Sequence, residues 1–195
     1  MPSTNYDLGY LTAGEEVLEK YLLSKALFWP IHSSSPLGEP EFPQLTLGNL
    51  LLSQTRLRVK NLQPEESQEC RILEESISQI HDKWQTAWER KLRWEYRSRL
   101  RQWQHYINDL FQEPESNIAY YSNEVRLRLL LDLIKADMRS EEGINLDTLN
   151  LLDAELQSVF HQDQFIWERE LISGFDSEKY WYLWGKPDVS KFTMS

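Results

Sequence analysis

The sequence contains one cysteine, Cys70, among its 195 residues. A single cysteine excludes a disulfide within the chain and a zinc site built from several cysteines, and this usage is typical of a reducing compartment. The N-terminal residues show no basic start followed by an apolar stretch, and apolar runs such as Leu129–Ile134 are far shorter than the ~18 residues of a membrane-spanning helix. We therefore expect a cytoplasmic protein that is neither secreted nor inserted in a membrane.

Motifs of the common enzyme classes are also missing. No glutamate stands three places before any of the four histidines, so the Glu-x-x-His pairs of di-iron bundles do not occur. The sequence also lacks the glycine-rich phosphate and dinucleotide loops, the His-Glu-x-x-His zinc motif and the Gly-x-Ser-x-Gly nucleophile turn. The sequence therefore predicts no catalytic residue, no metal ligand and no cofactor.

The chain is rich in tryptophan and in acidic residues. It has eight tryptophans and a formal net charge of −10. This charge argues against a protein that coats nucleic acid or an anionic membrane with its whole surface, because the average field would repel both. Its hydrophobic content of 41% and its length are ordinary for a folded domain, so we expect one helical domain over 1–195.

Seven glycines and eight prolines separate segments of helical period, which predicts an all-α fold. Thr12 and Glu15 form a capping-box pattern, so the first helix is expected from Thr12 to Phe28, with Pro30 ending it. Four prolines within residues 30–43 predict an extended connection there.

Two further helices are expected after this connection. The first follows the possible cap Thr46; the alternation over 56–62 would also fit a strand, but we choose the helix. Pro64 suits a first helical turn, and no glycine or proline interrupts 65–113, which predicts one helix of about 73 Å at 1.5 Å per residue. This helix would be the centre of an elongated bundle of about five helices. Because its apolar stripe drifts, any break is expected between Trp84 and Leu92.

The remaining segments complete the expected bundle. Residues 116–139 predict a fourth helix that is apolar on more than one face. Asn145 or Asp147 can cap a fifth helix that continues to Trp167. We expect the aromatic segment 175–195 to dock on the bundle, because aromatic side chains contribute large buried areas.

A basic run in this acidic chain marks the candidate site. With 100° per residue, the cations fall on the side of the long helix opposite its apolar stripe, and the tryptophan among them lies on the same side. We call this surface the basic face; its partner-binding candidates are Lys83, Arg90, Arg93, Trp94, Arg97 and Arg101.

These features favour a non-enzymatic protein-interaction or scaffold protein that uses the basic face. The expected partner is a protein, in particular a second copy in a homodimer, because the rest of the chain is acidic and because tryptophan and arginine are enriched at interface hot spots. The alternative is a small-molecule-binding protein or an enzyme with an unrecognised site. A weaker alternative is single-stranded nucleic-acid binding through the same face, and a solvated helix face would explain the charges alone.

Overall fold

The computed structural model describes residues 3–192. They are mostly helical, as predicted, but the expected all-α fold of about five helices is corrected: these residues form eight α-helices and one small antiparallel sheet. The helices are α1 (Thr4–Leu23), α2 (Leu47–Val59), α3 (Pro64–Lys83), α4 (Gln85–Gln112), α5 (Pro114–Asn117), α6 (Tyr121–Asp137), α7 (Leu146–Val159) and α8 (Val189–Phe192), and the strands are β1 (Phe160–Gln162) and β2 (Gly185–Pro187). Within this part of the chain, no helix combines the length and the apolar character needed to cross a membrane.

The fold consists of two compact units. Unit 1 contains the residues up to Glu95 together with Leu133–Ser140, whereas unit 2 contains Tyr96–Asp132 and the residues from Glu141 onward. Helices α4 and α6 therefore each contribute residues to both units. The expectation of one domain over 1–195 stays a prediction.

In unit 1, helix α1 begins earlier than predicted. Ser3 caps it, because the Ser3 hydroxyl oxygen accepts a hydrogen bond from the backbone N–H of Tyr6 at 3.2 Å. Thr12 lies inside the helix, where its hydroxyl donates to the carbonyl oxygen of Leu8 at 3.0 Å. The predicted cap at Thr12 is wrong because this hydroxyl bonds back to its own helix.

Helix α1 also ends earlier than the predicted Phe28. Its last residue is Leu23, and Ser24 has an extended backbone conformation with ψ 170°. The Ser24 hydroxyl accepts from the N–H of Ala26 at 3.2 Å and donates to the carbonyl oxygen of Tyr21 at 2.8 Å. These local bonds replace the helical ones, which is a known competition between serine side chains and helix continuation.

The proline-rich connection over 30–43 contains neither helix nor strand. The residues flanking it, Trp29 and Leu45, form an antiparallel bridge in which each N–H donates to the other's carbonyl oxygen, at 3.1 and 2.8 Å. Phe42 packs edge-on against Tyr6 and Tyr10 of α1, with ring centroids 5.0 and 5.8 Å apart. The bridge thus joins the two ends of the connection, and Phe42 attaches the connection to α1.

The predicted cap Thr46 and the choice of helix after it are confirmed. The Thr46 hydroxyl accepts from the N–H of Asn49 at 3.2 Å at the start of α2. Pro64 occupies the first turn of α3, as predicted, and the Glu66 carboxylate accepts from the N–H of Gln63 at 2.8 Å.

The segment 65–113, expected as one long helix with any break between Trp84 and Leu92, is divided into two helices. Helix α3 ends at Lys83, α4 begins at Gln85, and Trp84 between them has φ −118° and ψ 33°. The N–H of Trp84 is shared between the carbonyl oxygens of Ile80 and His81, at 3.0 and 3.2 Å. This sharing tightens the last turn of α3, and the chain leaves helical geometry for one residue. The break lies within the interval predicted for it.

In unit 2, the fifth predicted helix is α7. Its predicted cap is confirmed, because the Asn145 side-chain oxygen accepts from the N–H of Thr148 at 3.0 Å. The helix ends at Val159 and does not continue to Trp167, because the next residues form β1. The predicted fourth helix, 116–139, is divided as well, since a 3₁₀ turn precedes α6.

The sheet of unit 2 depends on one glycine. Strands β1 and β2 are antiparallel, with His161 opposite Lys186 and Gln162 opposite Gly185. Gly185 has φ +143°, and a Cβ atom there would lie 2.1 Å from the carbonyl oxygen of His161. Only glycine is compatible with this close approach of the two strands.

The aromatic segment after residue 175 packs within unit 2 as far as residue 192. Tyr182 and Leu183 are fully buried. The Tyr121 hydroxyl of α6 donates to the carbonyl oxygen of Tyr182 at 2.7 Å, and Phe175 contacts Tyr180 edge-on. The last three residues of the segment predicted to dock lie outside the described residues.

Candidate interaction surface

The residues of the predicted basic face belong to both units. The hydrogen bonds, ion pairs and ring contacts given below for these residues lie within each residue's own unit, so the helix-wheel pattern alone does not define one continuous site. The unit 1 members are Lys83, Arg90, Arg93 and Trp94, and the unit 2 members are Arg97 and Arg101.

Trp94 is the exposed aromatic residue of the unit 1 part. It is 37% exposed, and the guanidinium carbon of Arg90 lies 6.0 Å from the centroid of its ring, within cation–π range. Arg90 also donates from Nη2 to the carbonyl oxygen of Leu22 at 3.2 Å, which holds its guanidinium at the end of α1. Leu23, the next residue, is 56% exposed. Exposed apolar side chains and fixed positive charge therefore occur together here.

The other two cations of the basic face in unit 1 form ion pairs and hydrogen bonds within that unit. Arg93 lies 3.3 Å from the Glu89 carboxylate and donates to the carbonyl oxygen of Ser140 at 3.4 Å. Lys83 donates to the Glu19 carboxylate at 2.8 Å. These partners account for part of the positive charge, so the surface is less cationic than the sequence alone indicates.

Lys91 is a buried cation of α4, and the sequence analysis did not single it out. It is fully buried, and its Nζ donates to the Ser24 hydroxyl at 3.1 Å and to the carbonyl oxygen of Ala26. Nζ also lies 4.1 Å from the ring centroid of Tyr21. Lys91 thus fixes the chain just after α1, on the side of α4 next to Trp94.

Burial lowers the pKa of Lys91 from its usual 10.5 to about 8, and the charge of Arg90 lowers it further in the same direction. Between pH 8 and 10.5 the unfolded chain therefore keeps a proton that the folded chain has released. Stability rises with pH wherever the unfolded state binds more protons. The titration of Lys91 therefore raises the free energy of unfolding as the pH rises from 8 to 10.5.

We predict that Lys91→Met removes this pH dependence. Urea denaturation between pH 8 and about 9.5 should give a stability slope that is more positive in the wild type than in the variant, by up to about 1.4 kcal/mol per pH unit. The comparison with the variant is needed because burial also raises the pKa of the Cys70 thiol, which acts in the opposite direction. Equal slopes for the two proteins would contradict the prediction.

In unit 2, Arg97 and Arg101 differ in their contacts. Arg97 donates from Nε and Nη2 to the carbonyl oxygen of Gly143, at 3.1 and 2.9 Å. Gly143 has φ +80°, a conformation suited to glycine, so the guanidinium holds the turn before α7. Arg101 is exposed and makes no hydrogen bond or ion pair with the residues described.

Within residues 3–192, His, Cys, Asp and Glu side chains form no group of three that could hold a metal ion. Cys70 is buried, and burial followed by the charge of Glu74 raises the pKa of its thiol, which favours the unreactive protonated form. His105 and Asp109 form a pair on α4 at 3.4 Å.

Each unit has surface grooves. In unit 1, a groove of about 550 Å³ between α1 and α3 is lined by Glu15, Glu16 and Glu19 and also by Lys83. In unit 2, a groove of about 410 Å³ is lined by polar groups of both charges, including Arg99, Tyr106, Asp109, Glu124 and Arg126. Burial, and next the charge of Glu124, raises the pKa of Tyr106, so its hydroxyl stays protonated.

Two ionic clusters, one buried and one built around a buried arginine, were missed by the sequence analysis. In unit 1 the Asp7 carboxylate binds Arg56 and Lys60, and in unit 2 Arg128 binds Asp132 and Asp153. Arg128 and Asp132 are four residues apart on α6, and Arg56 lies four residues before Lys60, the residue that follows α2, so both spacings were visible in the sequence. Their third members come from distant segments and were not.

The comparisons with known proteins do not assign the chain to a family. No protein-family model matches it, and neither a curated protein nor a solved structure does.

Proposed function

We propose that this chain is a non-enzymatic protein-interaction or scaffold protein that binds a second copy of itself through Trp94 and its neighbouring arginines. The observation that supports this most is the partly exposed indole of Trp94, whose ring contacts Arg90 while Arg90 is held by the carbonyl oxygen of Leu22. Tryptophan and arginine are the residues most enriched at interface hot spots. Fixed side chains also lose less conformational entropy on binding.

The energies favour a partner over solvent for this indole. The exposed Arg90–Trp94 contact contributes about 0.5 to 1 kcal/mol. Burying a large apolar side chain contributes roughly 1.5 to 3 kcal/mol. A partner that covers the exposed part of Trp94 adds a share of this burial energy and leaves the Arg90–Trp94 contact in place.

The charge of the chain favours a second copy over a polyanion. Arg90 and Arg93 are positive, while the chain as a whole carries −10. The acidic surface of another copy is attracted to the arginines, whereas nucleic acid would also meet the repulsion of the remaining surface. Association of this kind should weaken as ionic strength rises.

The test is sedimentation velocity of the wild type and Trp94→Ala over the same concentration series. The wild type should associate in a salt-sensitive manner, and Trp94→Ala should raise the dissociation constant by about 10- to 30-fold, as expected for a hot spot. Ile72→Ala is the matched control, because Ile72 is 55% exposed on α3 of the same unit. A wild type that stays monomeric throughout would end the proposal.

The two alternative functions predict different outcomes in binding experiments. Salt-sensitive binding of a single-stranded oligonucleotide that depends on Trp94 would favour nucleic-acid recognition by base stacking. The groove beside Tyr106 favours the small-molecule alternative, since polar groups converge there. A small metabolite that raises the melting temperature of the wild type, and does so less for Tyr106→Phe, would support that alternative.

A further inference from the structure

A second exposed apolar surface lies in unit 2, where α4, α5 and α8 meet. Phe111 is 38% exposed, and its ring contacts that of Phe192 edge-on with centroids 5.1 Å apart. A groove of about 360 Å³ is lined there by Pro114, Val189 and Phe192. We call this groove with Phe111 the phenylalanine groove.

The charges at the rim of this groove are mainly negative. Glu113 and Glu115 line it, and both are exposed. The nearest cation in sequence, Lys191, donates from Nζ to the carbonyl oxygen of Phe160. The groove therefore presents an apolar floor with two carboxylates beside it, which suits an apolar side chain carried among cations.

Trp94 has the surroundings that this groove requires. The described residues with large exposed apolar side chains are Leu23, Leu37, Ile72, Trp94, Phe111, Tyr120, Leu151 and Ile172. Leu37 lies near Glu39 and Glu41, and Leu151 lies between Asp147 and Glu155, so both would be repelled. Leu23 lies between Lys20 and Lys25 but has a smaller apolar side chain than the indole of Trp94. Trp94 has Arg90 at its ring and Arg93 next to it in sequence.

We propose that the phenylalanine groove of one copy receives Trp94 of a second copy, with Arg90 and Arg93 next to Glu113 and Glu115. This inference rests on the proposed function and names the receiving site for it. A contact between two different sets of residues is compatible with a homodimer, because in a symmetric dimer residue i contacts residue j and residue j contacts residue i. A groove of about 360 Å³ is at the small end of binding pockets, which suits one large side chain.

The direct test reverses the charge of the groove. Glu113→Lys/Glu115→Lys should raise the dissociation constant of self-association at least about tenfold in sedimentation velocity, because like charges then face each other. The control is Glu75→Lys/Glu178→Lys, which changes the net charge equally at two exposed positions outside the groove. This control should change the dissociation constant by no more than about threefold, and circular dichroism should show that both variants fold.

Mixing two variants tests the pairing of the surfaces. Arg90→Glu alone and Glu113→Lys/Glu115→Lys alone should each associate weakly, whereas an equimolar mixture should associate about as well as the wild type. If Glu113→Lys/Glu115→Lys alone associates like the wild type while Trp94→Ala does not, the groove is not the receiving site and the proposed function stands. If the wild type does not associate at all, the proposed function itself fails.

Discussion

Replacing Asp7 by alanine should lower the free energy of unfolding by about 3 to 5 kcal/mol, the cost of removing one partner from a buried ion pair. Asp7 is fully buried, and Arg56 and Lys60 are nearly so. The Asp7 carboxylate accepts from Nε of Arg56 at 3.0 and 3.1 Å, from Nη2 of the same guanidinium, and from Nζ of Lys60 at 3.4 Å. Asp7→Ala therefore removes the carboxylate that both buried cations bind.

The control is an arginine with an exposed ion pair on α2, the helix that contains Arg56. Arg58 donates to the Glu74 carboxylate at 2.7 Å, but its side chain is 61% exposed. Arg58→Ala should cost less than about 1 kcal/mol in urea denaturation. A cost for Asp7→Ala no larger than that of Arg58→Ala would show that the buried cluster does not stabilise the fold.

A double-mutant cycle measures the coupling directly. Arg56→Met removes the other main member of the cluster and, with it, the bond from Nη2 to the Ser53 hydroxyl at 3.2 Å. Asp7→Ala combined with Arg56→Met should cost less than the sum of the two single changes, by about 1 to 3 kcal/mol. Additive costs would contradict a direct interaction.

The sequence predicted the parts of the fold that short-range chemistry determines. Thr46 and Asn145 cap their helices as expected, because a cap needs only a side-chain oxygen and an N–H three residues later. A capping pattern gave a wrong prediction at Thr12, which was expected to begin α1 and lies inside it. A threonine followed by glutamate also fits the middle of a helix, where the hydroxyl bonds to the preceding turn, and only the preceding residues decide between the two.

The sheet was missed because its pairing is not local. Residues 160–162 continue the helical period of α7, and they become a strand only because residues 185–187 pair with them. Gly185 permits this pairing by its positive φ and its missing side chain. Local propensity is overridden by such tertiary contacts, so the pattern of α7 alone could not indicate where it ends.

For the candidate surface, the sequence placed Trp94 on the outer side of its helix, and the structure leaves it partly exposed. The helical period could not predict that neighbouring cations of α4 differ in their burial and in their contacts. Lys91 can be buried because the Ser24 hydroxyl and the Ala26 carbonyl oxygen accept hydrogen bonds from its ammonium group, and both residues follow the unexpected end of α1. Arg97 is held by Gly143 for a similar reason. Both contacts join segments far apart in the sequence.

Replacing Arg128 by methionine is the second change with a large expected cost, about 3 to 5 kcal/mol of unfolding free energy. Arg128 lies in α6, with its side chain 8% exposed. Its Nε and Nη2 bind both oxygens of Asp153 at 2.8 Å, and its Nη1 binds Asp132 at 2.6 Å. Methionine fills much of the same space but leaves two carboxylates without the guanidinium between them. Arg126→Met, an exposed position on the same helix, should cost less than about 1 kcal/mol.

The cluster of Arg128, Asp132 and Asp153 also contacts Tyr182 of the aromatic segment. This contact predicts the order of the stability costs of three variants. The Tyr182 hydroxyl donates to Asp132 at 2.7 Å, and the Arg128 guanidinium lies 4.7 Å from the Tyr182 ring centroid. Tyr182→Phe removes only the hydroxyl's bond to a charged acceptor and should cost about 1.5 to 3 kcal/mol, between Arg128→Met and Arg126→Met. Hydrogen exchange of the amides around Tyr182 should become faster in Arg128→Met and in Tyr182→Phe, but not in Arg126→Met. If Arg128→Met left these amides as protected as in the wild type, the guanidinium would stabilise α6 and α7 without holding the terminal segment.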